Sequence, residues 1–300
     1  MALTSTNEAV ASRLQLNGQQ YCFVKVQDQS KFAFVDPNPE IICGNYDHQE
    51  ERVAIGPRLI RLNVLMMPTP EEYDLLLPLI GFTETTNVFA PKNNLTVFNA
   101  QVDYSTVDVG NYLQGVVDKA IFRGQQGLSP LSLELQMVFQ DYNLSSAFSA
   151  TALTTANAPY EFTSGVLSLG ETGATTRRFN SFVCVYDNQV RSRFNNATTA
   201  DNLPNTQRIV HLGVNTPYTA SEDDLLIDAT TDSTRLAGQQ ASVAFTRSPQ
   251  SMTFDFGNLK WEAKAPDILG KTQETRLMQF YKALRVGTDP VMTITNILSA

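Results

Sequence analysis

Apolar and polar residues alternate in several parts of this 300-residue chain, and this pattern predicts a protein built mainly of β-strands. The clearest runs are residues 131–137 (LSLELQM) and 251–256 (SMTFDF), in which every second residue is apolar. A period of two places the apolar side chains on one face of a strand and the polar ones on the other. Less regular β-prone runs predict further strands at residues 21–26, 31–35, 58–67, 94–104, 181–193 and 291–296.

A helical pattern follows the strand predicted at 58–67. Its apolar residues recur at helical spacing and share one face: Tyr73, Leu76, Leu77 and Ile80. Thr69 and Glu72 have the spacing of a capping box, and Pro70 stands at the first helical position. We expect Pro78 to kink or shorten this helix and Gly81 to end it.

The second half of the chain repeats part of the first half at an offset of 150 residues. Residues 58–77 (RLIRLNVLMMPTPEEYDLLL) and 208–227 (RIVHLGVNTPYTASEDDLLI) are identical at eight of twenty positions. Unrelated sequences would share roughly one or two. Thr219 and Glu222 repeat the capping-box spacing, and the apolar runs 32–35 and 182–185 align at the same offset. We therefore predict an internal duplication, with a second short helix near Thr219.

Residues 272–284 are compatible with two structures. Their apolar residues fit one face of a helix: Leu277, Phe280, Tyr281 and Leu284. In the second copy, however, this segment occupies the place that the strand at 131–139 holds in the first copy. We therefore favour a strand.

The repeat and the composition predict four parts of the chain. Residues 1–19 form an N-terminal arm, whose first fifteen residues are polar and are expected to become ordered only against a partner. Residues 20–145 form a first domain and 165–300 a second. Between them, residues 146–164 form a connection rich in Ser, Thr and Ala.

Composition narrows the class of protein further. Charged residues make up only 17% of the chain, the formal charge is −8 and the pI is about 4.8, so phosphates are repelled on average and tight nucleic-acid binding is disfavoured. Three widely spaced cysteines (Cys22, Cys43 and Cys184) are typical of free thiols in a reducing compartment. No leader pattern and no run of membrane-spanning length is found, and we expect a protein made in a cytoplasm, without a membrane segment.

No catalytic, cofactor-binding or metal-binding residue is predicted. His48 and His211 have no partners at metal-ligand spacing, and Ser129 does not lie in a nucleophile elbow. The acids at 222–224, with Asp228, match no calcium loop and fit a capped helix start better. With 30 acidic residues in the chain, a carboxylate pair for hydrolysis remains an open alternative.

Five segments together resemble the major tail tube proteins of bacteriophages with long, non-contractile tails. The first is a strand that leads into an acidic, Pro-containing helix with Leu-Leu (62–79), and the second is a hairpin that ends in an alternating run (116–139). A strand with a following Asp-Asn (183–188) comes next, and then an Arg-Ile-Val-x-Leu-Gly-Val strand before Glu-Asp-Asp-Leu-Leu (208–226). The last is a strand that ends in Thr-Asn (293–296). The resemblance covers roughly residues 20–300.

The resemblance implies a mainly β fold with short flanking helices (α+β), made here of two tandem tube domains of β-sandwich or barrel type. It implies a structural virion protein without enzymatic activity, whose three chains form a ring of pseudo-sixfold symmetry. The rings stack into a tail tube. Expected partners are further copies of the chain, the tape measure protein and other tail components, with viral DNA passing through the lumen without specific binding. Made in the host cytoplasm, the protein would reside in the virion tail.

The second helix departs from this pattern, because Ala220 replaces Pro70 and residues 228–229 (Asp-Ala) replace residues 78–79 (Pro-Leu). Its length is therefore open. We also expect a lumen lined by acidic and neutral residues, with basic residues on the exterior such as Arg177, Arg178, Arg191 and Arg193. A β-sandwich module that binds carbohydrate or a cell surface is a further alternative, although Trp261 is the one tryptophan available and alternates with Leu259 as a core residue.

Overall fold

The computed structural model describes residues 12–35, 54–104, 108–145, 147–153, 157–170, 175–217, 238–267 and 276–298. Most of these residues lie in strands, so the prediction of a mainly β protein is confirmed. The regular non-strand elements of these ranges are one α-helix, α1 (Pro70–Ile80), and one 3-10 turn (Phe162–Ser164).

The strands, in chain order, are β1 (Arg13–Leu16), β2 (Gln19–Tyr21), β3 (Lys25–Asp28), β4 (Lys31–Val35), β5 (Ala54–Met66), β6 (Phe82–Thr85), β7 (Val88–Pro91), β8 (Phe98–Asp103), β9 (Val109–Gln125), β10 (Leu128–Phe139), β11 (Asp141–Ser145), β12 (Gly165–Gly170), β13 (Thr175–Arg177), β14 (Ser181–Asp187), β15 (Ile209–Pro217), β16 (Gln239–Arg247), β17 (Gln250–Asp267), β18 (Arg276–Ala283) and β19 (Thr293–Ile297).

Eight of these strands form one continuous antiparallel sheet that runs through both halves of the chain. Their order is β3-β5-β10-β9-β14-β15-β18-β17. The first four strands come from the first half of the sequence and the last four from the second half. β3 and β17 therefore stand at the two ends of this sheet.

Each half adds a second layer, which shares one long strand with the eight-stranded sheet. The N-terminal part of β9 pairs with β8 and β11, and β8 continues to β1 and β2. In the same way the N-terminal part of β17 pairs with β16 and β19, and β16 continues to β12 and β13. The hairpin β6–β7 of the first half joins the second-half layer, because β7 pairs with β19. Strand β4 pairs with the N-terminal part of β5.

The hydrophobic core lies between the layers. On β10, the predicted alternation buries Leu133 and Leu135, while Glu134 between them lies on the opposite face. One cluster of buried residues extends from Leu14 to Ile294 and so includes both halves. The opposite face of the eight-stranded sheet carries polar and charged residues, including Asn63, Lys119, Arg123, Glu134 and His211, and is called the open face below.

Helix α1 begins and ends where its sequence predicts. The Thr69 hydroxyl accepts from the Glu72 amide at 3.4 Å, and the Glu72 carboxylate accepts from the Thr69 amide at 2.8 Å, which completes the predicted capping box. Gly81 ends the helix with a φ of 118°, a left-handed conformation that favours glycine. The helix continues through Pro78 to Ile80, so Pro78 does not shorten it: a proline in the last turn removes only one intrahelical bond. The four predicted apolar residues are buried: Tyr73, Leu76, Leu77 and Ile80.

Strand pairings recur in the two halves in the same order and register. Ile60 pairs with Phe139 and Val210 pairs with Ala283, so the numbers differ by 150 on one strand (60 and 210) and by 144 on the other (139 and 283). The hairpins β9–β10 and β17–β18 share one register shift, and β9–β10 contains a second one near its turn, between Leu128 and Ser132. The skipped residues are 118 and 262, which are again 144 positions apart.

Some predicted boundaries differ from the structure. Residues 13–16, assigned to the N-terminal arm, form β1, in which Leu14 and Leu16 are fully buried against the sheet. The connection predicted at 146–164 contributes Tyr160 to the core. The strand favoured for 272–284 is confirmed for residues 276–283. The second helix predicted near Thr219 lies outside the described residues.

We expect Thr69→Ala to lower the free energy of unfolding by about 1 kcal/mol, because the Glu72 amide loses its side-chain acceptor. Urea unfolding followed by circular dichroism measures this change. Thr151→Ala, at an exposed threonine outside any helix cap, serves as the control and should change stability by less than about 0.5 kcal/mol. Equal effects of the two substitutions would contradict the role of the cap.

Candidate functional site

His211, Cys22 and Cys184 lie among the residues that the structure describes. Among the described residues, no group of three or more His, Cys, Asp or Glu could hold a metal ion. His211 contacts Glu262 at 3.1 Å, with both side chains partly exposed on the open face. Cys184 is buried, which raises the pKa of its thiol, whereas Cys22 is exposed. His48, Cys43 and the acids at 222–224 and 228 lie outside the described residues.

A surface cavity of about 660 Å³ lies where β7 and the ends of β15 and β18 meet. Its lining includes Lys92, Arg208, Lys282 and Arg285 and holds neither a carboxylate nor a histidine. This composition does not fit a carboxylate-pair hydrolase, in which two acids flank the bond that breaks. Trp261 packs against Tyr281, with ring centroids 4.4 Å apart, and is partly buried against the core.

The two halves of the chain meet along a junction of paired backbone and polar side chains. Strands β9 and β14 pair over seven consecutive residues, from Lys119 opposite Asp187 to Gln125 opposite Ser181. Backbone bonds extend this pairing at both ends. The Gln126 amide donates to the Asn180 carbonyl at 2.8 Å, and the backbone amide of Asn188 donates to the backbone carbonyl of Asp118 at 2.7 Å. We call this pairing of β9 with β14 the seam. It turns two four-stranded sheets into one.

An ion pair and a buried carboxyl group lie at the end of the seam. The Lys119 ammonium and the Asp187 carboxylate are 3.0 Å apart across it. Next to them, burial raises the pKa of Asp118, although the Val190 amide, which donates to its carboxylate at 2.7 Å, opposes the shift. These contacts hold the loop after β14 against β9.

Asn188, the residue after β14, binds the C-terminal end of α1. It is fully buried, and its side-chain amide donates to the Ile80 carbonyl at 2.9 Å and to the Val117 carbonyl at 3.0 Å. The last carbonyls of a helix have no intrahelical partner, so an external donor satisfies one of them. The Tyr186 hydroxyl adds a bond to the Gly81 carbonyl at 3.3 Å. A residue of the second half thus fixes a helix of the first half.

The N-terminal part of α1 is bound in the same manner by β19. The Asn296 side-chain amide donates to the Pro70 carbonyl at 2.9 Å and to the Asp74 carboxylate at 2.5 Å, and the Tyr160 hydroxyl donates to the Asn296 carbonyl oxygen at 2.8 Å. Burial raises the pKa of Asp74, and the bond from Asn296 opposes this shift. Both ends of the single described helix are therefore tied to the second half.

Charge pairs lie on the open face, together with Lys25, Lys282 and the exposed apolar residues Met278 and Phe280. Arg123 and Glu134 are 2.8 Å apart, and Glu134 also accepts from Asn63 at 3.2 Å and from Gln136 at 3.0 Å. Burial alone would raise the pKa of Glu134, but these bonds and the Arg123 charge hold it below its ordinary value. His211 with Glu262 and Lys119 with Asp187 form further pairs on this face. The described part of the face is therefore not predominantly acidic.

The basic residues expected on the exterior do not share one environment. Arg178, Arg191 and Arg193 are exposed in the single chain, and their place on the exterior of a tube stays a prediction. Arg177 is buried, and its guanidinium donates to the Leu169 carbonyl at 3.5 Å. Its assignment to the exposed surface is therefore corrected, because β13 pairs with β12 and directs this side chain inward.

The two ends of the eight-stranded sheet are open. Among the described residues, β3 pairs with β5 on one side only. Residues 263–267 of β17 likewise pair with β18 on one side only. An open edge presents unpaired N–H and C=O groups to a further strand.

Sequence reasoning did not identify Asn188, Asn296 or Tyr160 as functional side chains. The two asparagines end strands whose Asp-Asn and Thr-Asn endings contributed to the resemblance stated above, which was the one available signal. Their contacts with α1 span 108 and 226 residues of sequence, and no local pattern encodes such distances.

Comparison with models of known protein families gave no match, and a search of curated proteins found none with significant similarity. In the described part of the chain, no helix has the length and apolar character needed to cross a membrane. The geometry of the sheet is therefore the basis on which a function is proposed for this chain.

Asn188→Ala should lower the free energy of unfolding by about 1–3 kcal/mol, because the buried carbonyls of Ile80 and Val117 lose their donor. Urea unfolding of the purified protein measures the effect. An exposed loop asparagine provides the control, and Asn195→Ala should remain within about 0.5 kcal/mol of the parent. A wild-type midpoint for Asn188→Ala would contradict the assigned role.

Glu134→Gln should reduce stability by about 1 kcal/mol at pH 7, because charge-assisted bonds are replaced by neutral ones. The folded pKa of Glu134 lies below its ordinary value, so the stabilisation is present above that ordinary value and is lost as the pH falls through the folded pKa. The difference between parent and variant should therefore be smaller at pH 3 than at pH 7. Urea midpoints at both pH values test this, with Glu84→Gln, at an exposed strand position, as the control.

Proposed function

We propose that this protein is the subunit of a closed ring that stacks into a tube, as in the major tail tube proteins of long-tailed, non-contractile phages. The observation that carries the proposal is the eight-stranded antiparallel sheet, which consists of two four-stranded units joined edge to edge. A sheet of this kind can be extended by further copies of the same unit. The seam is then one instance of a junction that recurs around a ring.

We infer that the two units arose by internal duplication. Support comes from the equal strand order, from the offsets of 150 (60 and 210) and 144 (139 and 283), and from the bulges at residues 118 and 262. A bulge adds one residue to one strand and is a specific local feature. Independent evolution would not be expected to place it at the same register in both halves.

Three chains contribute six such units, and eight strands per chain give 24 strands in a closed barrel. With strands about 4.8 Å apart and tilted by about 40°, the backbone barrel is roughly 45–50 Å across. That width leaves room for a DNA duplex after side chains are added. The number of six units per ring is taken from the resemblance, and the width follows from it.

The open face becomes the lining of the lumen in this arrangement. The second layers and α1 cover the other face of the sheet, and the greater circumference on the outside of a barrel accommodates them. Lys119, Arg123 and His211 each face a carboxylate on this face. We therefore replace the expected acidic lining with a mixed lining, in which charge pairs stand beside Lys25, Lys282 and exposed apolar residues such as Phe280. Basic groups already paired with carboxylates attract phosphates less, so DNA can pass without specific binding.

This function needs no catalytic residue and no cofactor. Proposed partners are further copies of the chain in the ring and in neighbouring rings, the tape measure protein and other tail components. The site of action is the virion tail, after synthesis in the host cytoplasm. A carbohydrate-binding module remains the competing proposal, but Trp261 packs on Tyr281 instead of standing in an open aromatic groove.

Rings of three chains should have a mass near 100 kDa, three times the 33.2 kDa chain. Native mass spectrometry of the purified protein and negative-stain images of ring or tube ends test this, and six-fold features are expected in end-on averages. A stable monomer at micromolar concentration would contradict the proposal. A ring of six chains would contradict the three-chain closure.

A further inference from the structure

We propose that residues 27–31 of one chain, which include the end of β3 and the first residue of β4, pair with residues 263–267 of β17 in the next chain, in the same register with which β14 pairs with β9. This junction would close the ring between chains as the seam joins the halves within a chain. The inference rests on the ring proposed above and adds its contact surface, its partner and its register. The two open strands correspond in position to the two strands of the seam.

Strand β3 occupies the position in the first half that β14 occupies in the second. Lys25 of β3 pairs with Leu65 of β5, and Ser181 of β14 pairs with Asn215 of β15. Equivalent residues of β3 and β14 are therefore 156 positions apart, and those of β5 and β15 are 150 positions apart. The irregular bond before each strand is also repeated. The Val24 amide donates to the Leu65 carbonyl at 2.8 Å, and the amide of Asn180, 156 residues later, donates to the Asn215 carbonyl at 2.7 Å.

The C-terminal part of β17 corresponds in the same way to the part of β9 that forms the seam. Phe122 pairs with Leu133 of β10, and Pro266 pairs with Leu277 of β18, with both numbers 144 higher in the second half. The matching bulges lie a few residues before these pairs. In β9 the edge beyond this point is covered by β14, whereas in β17 the equivalent edge is open among the described residues.

These offsets transfer the register of the seam to the open edges. In the seam, Val185 of β14 pairs with Ile121 of β9. The residue equivalent to Val185 in the first half is Gln29, 156 positions earlier, and the residue equivalent to Ile121 in the second half is Ala265, 144 positions later. The seam register therefore places Gln29 opposite Ala265. The same arithmetic places Gln27 opposite residue 267 and Lys31 opposite residue 263. The eight-stranded sheet has an even number of antiparallel strands, so its two ends run in opposite directions and meet as an antiparallel pair.

The backbone donors are oriented for this pairing. In the seam, the Asn188 amide donates to the Asp118 carbonyl of β9, which indicates that the even-numbered residues of β14 point towards β9. Directly after β3, the Gln29 amide donates to the Arg61 carbonyl of β5 at 2.9 Å. The odd-numbered residues of this edge therefore point towards β5, and Asp28 points outward. Pro266 takes the place of Phe122 and lacks an N–H, and the Ser30 amide already donates to the Asp28 carboxylate at 2.7 Å, so the junction between chains has two backbone bonds fewer than the seam.

A second copy of this chain is the occupant that the geometry selects. The missing neighbour of β3 must resemble β9, and the open edge that resembles β9 belongs to β17. The two edges lie at opposite ends of one sheet and, among the described residues, are not paired with each other. Contacts between unlike edges build a head-to-tail series, which closes when the rotation per chain divides a full turn.

Engineered disulfides test the register directly. Facing residues that exchange no backbone bonds approach closely enough for a cross-strand disulfide, and Gln29 opposite Ala265 is such a position. In a background with Cys22→Ser and Cys43→Ser, Q29C with A265C should give covalently linked dimers and trimers on a non-reducing denaturing gel. Reduction should return all of the protein to single chains.

Matched pairs provide the controls. I121C with V185C occupies the equivalent position of the seam and should form a disulfide within one chain, detected as protection from thiol labelling. K25C with A265C shifts the register by four residues, about 13 Å, and should not link chains. Linking of that shifted pair in place of Q29C with A265C would overturn the register.

The proposed function and the proposed junction fail in different ways. Rings of three chains without a link between residues 29 and 265, while the control in the seam forms, would overturn the junction alone. A chain that stays monomeric would overturn the ring, and the junction with it.

Blocking one outward amide tests the same edge without cysteines. Asp28→Pro removes the outward N–H, whereas Asp28→Ala retains it, and both variants lose the bond that the Tyr112 hydroxyl donates to Asp28. We expect Asp28→Ala to form rings and Asp28→Pro to need at least about tenfold more protein to do so. Circular dichroism checks that both variants fold. Equal assembly of the two variants would overturn the proposal.

Discussion

The pairing of β9 with β14 is the interaction on which the rest of the structure depends. Strand β9 is bonded to β8 and β11 along its N-terminal part and to β10 and β14 along its C-terminal part. Each backbone bond contributes only about 1 kcal/mol net, but a buried donor without an acceptor costs about 1–3 kcal/mol. Removing β14 would leave β9 with a long unpaired edge and would expose the aromatic residues beneath it. Both halves are therefore constrained by one strand.

Polar side chains make the junction specific where apolar packing could not. The core is continuous, and apolar contacts tolerate small shifts of one layer over another. Asn188 and Asn296 each donate to one carbonyl of α1, at opposite ends of the helix and both at 2.9 Å, and such bonds tolerate little displacement. The helix thus acts as a fixed connection between the halves. A subunit of a ring needs such a connection, because an angular error within each chain would prevent closure.

In the proposed tube, the open face and the open edges would meet different requirements. Charge pairs such as Arg123 with Glu134 keep the face polar while limiting its attraction for phosphates. The edges, by contrast, are complementary to each other and would be liable to irregular association in a free chain. Pro266 on one edge removes a donor, and the Asp28 carboxylate accepts from the Ser30 amide at 2.7 Å on the other. Both features weaken unspecific strand addition without blocking every donor.

The sequence by itself determined the local elements. Alternation identified the β10 and β17 strands, and the spacing of Thr69, Glu72 and Gly81 determined both ends of α1, because capping and side-chain periodicity are local effects. Only the tertiary structure decided which strands are neighbours, that Leu14 and Leu16 join the core, and that Asn188 and Asn296 bind a helix far away in sequence. Pairing partners are selected by the burial of the whole sheet. The edge of every strand carries the same backbone N–H and C=O groups. The sequence of one strand therefore does not determine which other strand pairs with it.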